Sequence, residues 1–146
     1  MGQRIGLFGG TFDPPHLGHL AVAIAARDAL ELDRTLLVVA NQPWQKVGHR
    51  PVTEARHRLA MTELLVQNSD GLEVSDLEIV RGGMSYTIDT VKQLQDAGHE
   101  VVLIMGADAA AGIDSWERAT ELSRLTRIAV VDRPGYDMPE LANWSV

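Results

Sequence analysis

"RIGLFGGTFDPPHLGHL", residues 4–20, decides the fold. Residues 4–8 are a short apolar run closed by Gly9 and Gly10, the pattern of a buried strand that enters a tight turn. Pro14 and Pro15 suit a stiff turn and the start of a helix. From His16 onward, "HLGHLAVAIAARDALEL" is a run of small and apolar residues of helical length. A buried strand, a glycine turn and a helix in that order are the first half of a βαβ unit.

The rest of the chain repeats the alternation. "TLLVVA" (35–40) reads as a second buried strand and "NQPWQKVGHRP" as a loop. Thr53 is placed to cap the helix "EARHRLAMTELLVQN", which ends in the turn residues 68–71. "LEVSDLEI" (72–79) alternates imperfectly and is expected to be a third, more exposed strand. Ile88, Val91 and Leu94 share one face of "YTIDTVKQLQDA", with Gly98 where a helix C-terminus favours glycine. "EVVLIM" (100–105) is a fourth strand; a helix around "SWERATELSRL" leads to a fifth, "RIAVVD" (127–132), closed by Pro134 and Gly135. The expected fold is therefore α/β: a Rossmann-like, doubly wound parallel sheet of about five strands with helices on both faces. Ligands in such sheets bind beyond the carboxyl ends of the strands. The residues at those ends are Gly9 to His19, Asn41 to Lys46, Gly106 to Asp108 and Arg133 to Tyr136.

Composition narrows the function classes. The 146 residues suit one domain with its own core, and no apolar run reaches membrane-spanning length. The start "MGQRIGLFGG" lacks the features of a secretory leader, so a cytoplasmic protein with no membrane partner is expected. Cysteine is absent, which excludes disulfides and thiolate metal sites. A net charge of −7 argues against nucleic acid as a partner, because phosphate-backbone binding needs a basic face. A small phosphorylated ligand is compatible with that charge, since one helix entrance suffices to hold it.

Two common nucleotide sites are missing. Residues 6–11 read "GLFGGT", which breaks the G-x-G-x-x-G spacing, and the second strand is followed by Asn41 instead of a ribose-binding carboxylate. The phosphate-loop lysine motif is absent too. The histidines then admit three readings. His16 and His19, three apart, fall on one helix face and could serve a metal, although a catalytic zinc needs a third ligand and nothing orients His49 or His57 towards them. They could simply cap the helix. Or they could hold phosphate: Gly9 and Gly10 let a ligand approach the backbone, the helix entrance offers N–H groups and partial positive charge, and two imidazoles add donors, more strongly if protonated. Asp13 is accounted for by hydrogen bonds to turn amides.

"GGTFDPPHLGHL" (9–20) resembles the signature of the nucleotidyltransferase superfamily that carries an H-x-G-H motif. "NQPWQK" (41–46), "SYTIDT" (85–90), "GAD" (106–108), Trp116 and "RPGY" (133–136) are similar, in order, to segments of the bacterial nicotinate-mononucleotide adenylyltransferases. That resemblance implies transfer of AMP from ATP to nicotinate mononucleotide in NAD synthesis, with Mg2+ accompanying ATP and no dedicated protein metal site. It implies that Gly9, Gly10, Thr11 and Phe12 contact ATP, that His16 and His19 hold its phosphates as the catalytic pair, and that Gly106 and Asp108 flank its ribose. On the acceptor side it implies Trp116 stacked on the pyridine ring, Tyr86 and Thr87 at the nicotinate carboxylate, and Lys46 and Arg133 at the acceptor phosphate. Each has a plainer alternative: a helix cap for Asp108, core packing for Trp116, and solvated surface for Lys46 and Arg133. Trp44 and Met84 stand where the family often has proline.

The family pattern continues with a segment resembling I-S-S-T-x-x-R, which this sequence, ending in "LANWSV", does not contain. The expectation is a single nucleotidyltransferase domain over 1–146 that lacks the family's C-terminal segment. The alternatives kept open are a related adenylyltransferase with another acceptor, and a nucleotide-binding module without turnover. A homo-oligomer is compatible with the sequence, which does not determine oligomeric state.

Overall fold

In the computed structural model, which describes residues 2–43, 51–132 and 141, the first strand runs beyond its apolar residues into the two glycines. Strand β1 (Arg4–Gly10) keeps its register to the end because Gly9 and Gly10 still pair with Val38 and Val39. Then follow α1 (Leu17–Leu30), β2 (Arg34–Val39), β3 (Gln42–Pro43), α2 (Ala55–Val66), β4 (Leu72–Ser75) and α3 (Leu77–Arg81). The second half comprises β5 (Met84–Ser85), α4 (Thr87–Asp96), β6 (Glu100–Gly106), α5 (Ala107–Ala110), a 3-10 turn at Ile113–Ser115, α6 (Ala119–Leu125) and β7 (Arg127–Val131).

Five strands form one sheet in the order β4-β2-β1-β6-β7, and every neighbouring pair is parallel. The chain moves outward from β1 through β2 to β4, then crosses to β6 and β7 on the other side. The order therefore reverses between β1 and β6, so the turns after these two strands face one crevice at the carboxyl end of the sheet.

Two apolar layers cover the sheet. On one face Ile88, Val91 and Leu94 of α4 and Leu122 of α6 pack over Ile5 and Leu103, as the helical spacing of the α4 residues predicts. On the other, Ala23 and Ala26 bring α1 close to Phe8, Leu37 and Ile104. Both faces are thus filled, the arrangement expected of parallel strands that are apolar throughout. Among the described residues, no helix is long and apolar enough to cross a membrane.

Local differences from the sequence-based expectation have physical causes. The segment 72–79 is a strand only to Ser75; its hydroxyl then accepts a hydrogen bond from the Leu77 amide (3.3 Å) and α3 begins. The expected helix around 115–125 is divided, because Arg118 takes a left-handed backbone conformation (φ 52°) between the 3-10 turn and α6. Thr53 does not cap α2; the N-cap is Glu54, with no side-chain cap bond. Gly98 takes a positive φ (95°) after α4, as a helix C-terminus favours. Strands β3 and β5, of two residues each, form a separate parallel pair with Pro43 opposite Ser85.

Candidate active site

The site is built on the turn that joins β1 to α1. Phe12 is buried there with φ 50°, a conformation uncommon for a residue with a side chain. Aromatic packing holds it: its ring meets Phe8 edge-on at 5.7 Å between centroids and His19 at 4.8 Å. Two loop carbonyls are bound from the protein side, Gly10 accepting from the Ala40 amide (2.9 Å) and Thr11 from Arg58 Nη1 (2.9 Å). A side chain at Gly9 would project into open space, so the end of β1 can be approached closely by a ligand. Asp13 serves a more distant amide than expected: its Oδ2 accepts from Thr53 N (2.9 Å), which ties the loop to the entrance of α2.

His16 and His19 form a reciprocal cap at the start of α1. His16 Nδ1 accepts from the Gly18 amide (3.1 Å), and His19 Nδ1 accepts from the His16 amide (3.0 Å). The imidazoles stack at 3.8 Å between centroids with 21° between planes. The capping role that the sequence offered therefore occupies Nδ1 of each ring, a different atom from the Nε2 through which a phosphate could be held. Each Nδ1 is an acceptor, so the neutral ring carries its proton on Nε2 and offers that N–H as a donor. The entrance offers fewer backbone donors than expected, since the Gly18 and His16 amides are taken by imidazoles and the His19 amide by the His16 carbonyl (3.0 Å).

His19 is half-buried, and burial, followed by the neighbouring His16, lowers its pKa from 6.5 to about 4; Asp108 opposes the shift. The ring is therefore neutral near pH 7, and its donor is the Nε2–H of an imidazole instead of an imidazolium. The influence of Asp108 places the turn after β6 within electrostatic reach of His19, as the strand order requires.

Gly18 has a steric reason. A Cβ there would lie 2.9 Å from Cε1 and Nδ1 of His16, so the imidazole can fold over position 18 only if that residue is glycine. Gly18→Ala is expected to leave the melting temperature nearly unchanged, a propensity gain of up to about 1 kcal/mol offsetting a lost cap of about 1 kcal/mol. Displacing the ring should still lower turnover about tenfold or more. Thermal melts beside initial rates check this split; equal rates in the two proteins would show that the position of His16 is unimportant.

Gly106 is the N-cap of α5, and Asp108 lies exposed in the first turn. A Cβ at Gly106 would sit 2.9 Å from Asp108 Oδ1, so this carboxylate bends back over the strand end. On the other sheet face, Tyr86 is the N-cap of α4 and Thr87 its first residue, both half-buried. Trp116 closes the 3-10 turn and, like Tyr86, packs against the core on that face, so core packing accounts for part of its surface. Ion pairs Arg118–Asp89 and Lys92–Glu121 fasten the Trp116 segment and α6 beside α4. Lys46 and Arg133, with Trp44, His49 and the segment 133–136, lie outside the described residues.

Among the described residues no three His, Asp or Glu side chains gather in a way that could hold a metal ion. A groove of about 700 Å³ runs along the edge strand β7 beside Ala25 and Ala29, and none of the site residues above lines it.

Sequence reasoning missed Arg58. Its side chain is 1% exposed. Nε donates to the Thr53 carbonyl (2.6 Å), Nη1 to Thr11 (2.9 Å) and Ala40 (2.6 Å), and Nη2 to Asn41 (3.0 Å). One guanidinium thus joins the glycine loop, the end of β2 and the entrance of α2. Arg58, Thr62 and Val66 are the buried residues of α2, spaced four apart. An arginine at the head of an otherwise core-facing stripe is the signal that was available.

Residues 7–146 match the family described as cytidylyltransferase-like. The chain is 46% identical over 141 residues to a protein of Roseiflexus sp. (strain RS-1) named "Probable nicotinate-nucleotide adenylyltransferase", covering 94% of this chain and 70% of that one. Proteins of the same name from Corynebacterium kroppenstedtii and Herpetosiphon aurantiacus are 42% and 41% identical, over 92% and 99% of this chain and 64% and 77% of theirs. The chain thus spans roughly two thirds to three quarters of these relatives' lengths. Among solved structures, nicotinic acid mononucleotide adenylyltransferase of Plasmodium falciparum, complexed with NaAD, superimposes with a TM-score of 0.80. At 21% identity over 92% of this chain and 67% of that one, it shows a shared fold.

Proposed function

We propose that this chain, which belongs to the cytidylyltransferase-like family and within it to the nicotinate-nucleotide adenylyltransferases, transfers AMP from ATP to nicotinate mononucleotide in NAD synthesis. The observation that carries the reading is the self-capped pair His16 and His19, each with Nδ1 occupied and Nε2–H left as a donor, at the end of β1.

The reaction suits that arrangement. A phosphate oxygen of the mononucleotide attacks the α-phosphorus of ATP, the bond to the bridging oxygen breaks, and pyrophosphate leaves with that electron pair. No protein nucleophile is needed. Catalysis is alignment of two anions and stabilisation of charge on the transferring group. Gly9, Gly10, Thr11 and Phe12 form the close backbone approach, and His16 and His19 donate through Nε2–H to phosphate oxygens. Charge gathering on those oxygens makes them stronger acceptors, so the bond from the neutral His19 Nε2–H strengthens as the reaction proceeds. Asp108 and Gly106 lie on the ribose side, and magnesium enters with ATP as part of the substrate.

The acceptor lies between the β3–β5 pair and the Trp116 turn. Tyr86 and Thr87 offer hydroxyl and α4-entrance donors to its carboxylate, Trp116 a ring face, and Lys46 and Arg133 positive charge for its phosphate.

Purified protein given ATP, magnesium and nicotinate mononucleotide is expected to form nicotinate adenine dinucleotide as the dominant product by chromatography, ahead of parallel reactions with nicotinamide mononucleotide or phosphopantetheine. Trp116→Ala should raise the acceptor KM about tenfold, the equivalent of one aromatic contact, with kcat little changed. An unchanged KM would return Trp116 to the core alone. Absence of product with every acceptor would overturn the proposal in favour of a nucleotide-binding module.

A further inference from the structure

Strands β3 and β5 pair over two residues each, too few for a parallel pair to hold itself together. Yet β5 runs directly into Tyr86 and Thr87 at the head of α4. The pair is held by polar groups around Asn41. The Asn41 amide donates to Ser85 Oγ (2.8 Å), and the Asn41 side-chain amide donates to the Gly83 carbonyl (3.0 Å). Ser85 also lies beside the carboxylate of Glu78, on α3, where it favours the charged form. Glu78 is 6% exposed and takes a hydrogen bond from Thr90 Oγ1 (2.5 Å), one turn into α4. Arg81 Nη2 donates to that same Thr90 hydroxyl (3.1 Å). At the other end the Asn41 carbonyl is held by Arg58 Nη2, and Arg58 also holds the Thr11 carbonyl of the glycine loop.

We infer that Glu78 and Ser85 are positioning residues for the acceptor. Ser85, joined through Asn41 to Arg58, with Glu78 holding Thr90 beside it, fixes the head of α4 relative to the glycine loop, and so sets where the acceptor's pyridine ring sits against the bound ATP. A buried carboxylate is expensive to keep away from water unless it is fully hydrogen-bonded. Here the Thr90 hydroxyl meets it from α4, and Ser85 of β5 lies beside it. Ser85 is the connecting link: its oxygen accepts the Asn41 amide from the β2 side, which no apolar residue of similar size could do. The inference rests on the reading of this site as an adenylyltransferase with a pyridine mononucleotide acceptor.

Ser85→Ala and Glu78→Gln test it. Alanine removes the acceptor of the Asn41 amide, whereas glutamine keeps the shape of Glu78 but removes the charge that strengthens its bond from Thr90 and replaces one acceptor oxygen by an NH2 donor. Each is expected to raise the acceptor KM about tenfold, the loss of one buried hydrogen bond, while kcat and the ATP KM stay within about twofold. Ser85→Thr, which restores the hydroxyl, should recover most of the acceptor KM. Amide hydrogen exchange should accelerate at Asn41 and Gln42 in Ser85→Ala and stay unchanged in β1 and β6. An acceptor KM unmoved in both variants, or kcat and both KM values worsening together without rescue by threonine, would overturn the inference while leaving the reaction itself in place. A wild-type chain that makes no dinucleotide would instead overturn the underlying reading, and this inference with it.

Discussion

Replacing His19 by alanine is expected to slow dinucleotide formation by about 10²–10³-fold, the usual loss when one donor to developing charge is removed. The substitution removes an Nε2–H donor from the end of β1, and also the Nδ1 that caps the His16 amide. The imidazole packs on Phe12, so the left-handed residue of the loop loses one of its supports. Stability should fall modestly, by about 1 kcal/mol for the cap and up to about 1 kcal/mol for the ring contacts. His19→Asn separates the two roles. Its short carboxamide oxygen can accept from the His16 amide as Nδ1 does, but it supplies no donor at the position of Nε2. It should therefore recover stability without recovering rate. Initial rates and thermal melts of the three proteins decide the matter, and a His19→Ala enzyme with wild-type turnover would refute the catalytic assignment.

The second large effect concerns stability. Arg58→Met is expected to destabilise the chain by about 3–5 kcal/mol, the range found when one partner of a buried charged network is removed. Four backbone carbonyls, those of Thr11, Ala40, Asn41 and Thr53, would lose the donor they have in this structure. Folded domains of this size hold only about 5–15 kcal/mol in total, so the variant should unfold at much lower urea concentration. Arg58→Lys should fare little better, because a compact ammonium cannot span carbonyls from three chain segments as the guanidinium fork does. Burial already lowers the pKa of the Arg58 side chain, an effect that nearby Asp13 opposes; both belong to the loop and helix that this residue joins. A denaturation midpoint within about 1 kcal/mol of wild type would show that water substitutes for the guanidinium.

Much of this molecule is legible in its sequence, for identifiable reasons. Four of the five principal strands, β1, β2, β6 and β7, announce themselves as apolar runs. A parallel sheet covered on both faces buries both sides of its inner strands, and β7 shares their pattern, whereas the edge strand β4 only alternates. The face of α4 is equally plain in the spacing of Ile88, Val91 and Leu94. The strand ends mark the site because topology, more than side-chain chemistry, determines where a crevice opens. What escaped is of another kind. Two residues of β3 and two of β5 carry no periodicity at all. Arg58 sits in a helix where arginine is normally solvated, and nothing local says that four carbonyls surround it. Glu78 lies where the alternation of Leu72 and Val74 suggested a strand still in progress, although a helix had begun. Phe12 gives no warning of its positive φ, since the aromatic packing that holds it comes from residues before and after the turn. The roles of His16 and His19 were visible as alternatives; only the geometry shows that capping takes Nδ1 of each ring and leaves the opposite nitrogen for the donation proposed.

That division of labour bears on how this chain can change over generations. In most helices the entrance is a minor site, where serine, threonine, aspartate and asparagine replace one another at little loss. On the function proposed above none of those exchanges is neutral, because His16 and His19 would both cap α1 and hold phosphate. Selection for chemistry is then stricter than selection for folding at positions 18 and 19, where Gly18→Ala and His19→Asn are expected to keep stability and lose rate. Drift is left to the outer face of the helix, at exposed Ala21, Ala25 and Asp28. The first turn of α1 should therefore descend as a block, inherited whole or lost together with the reaction.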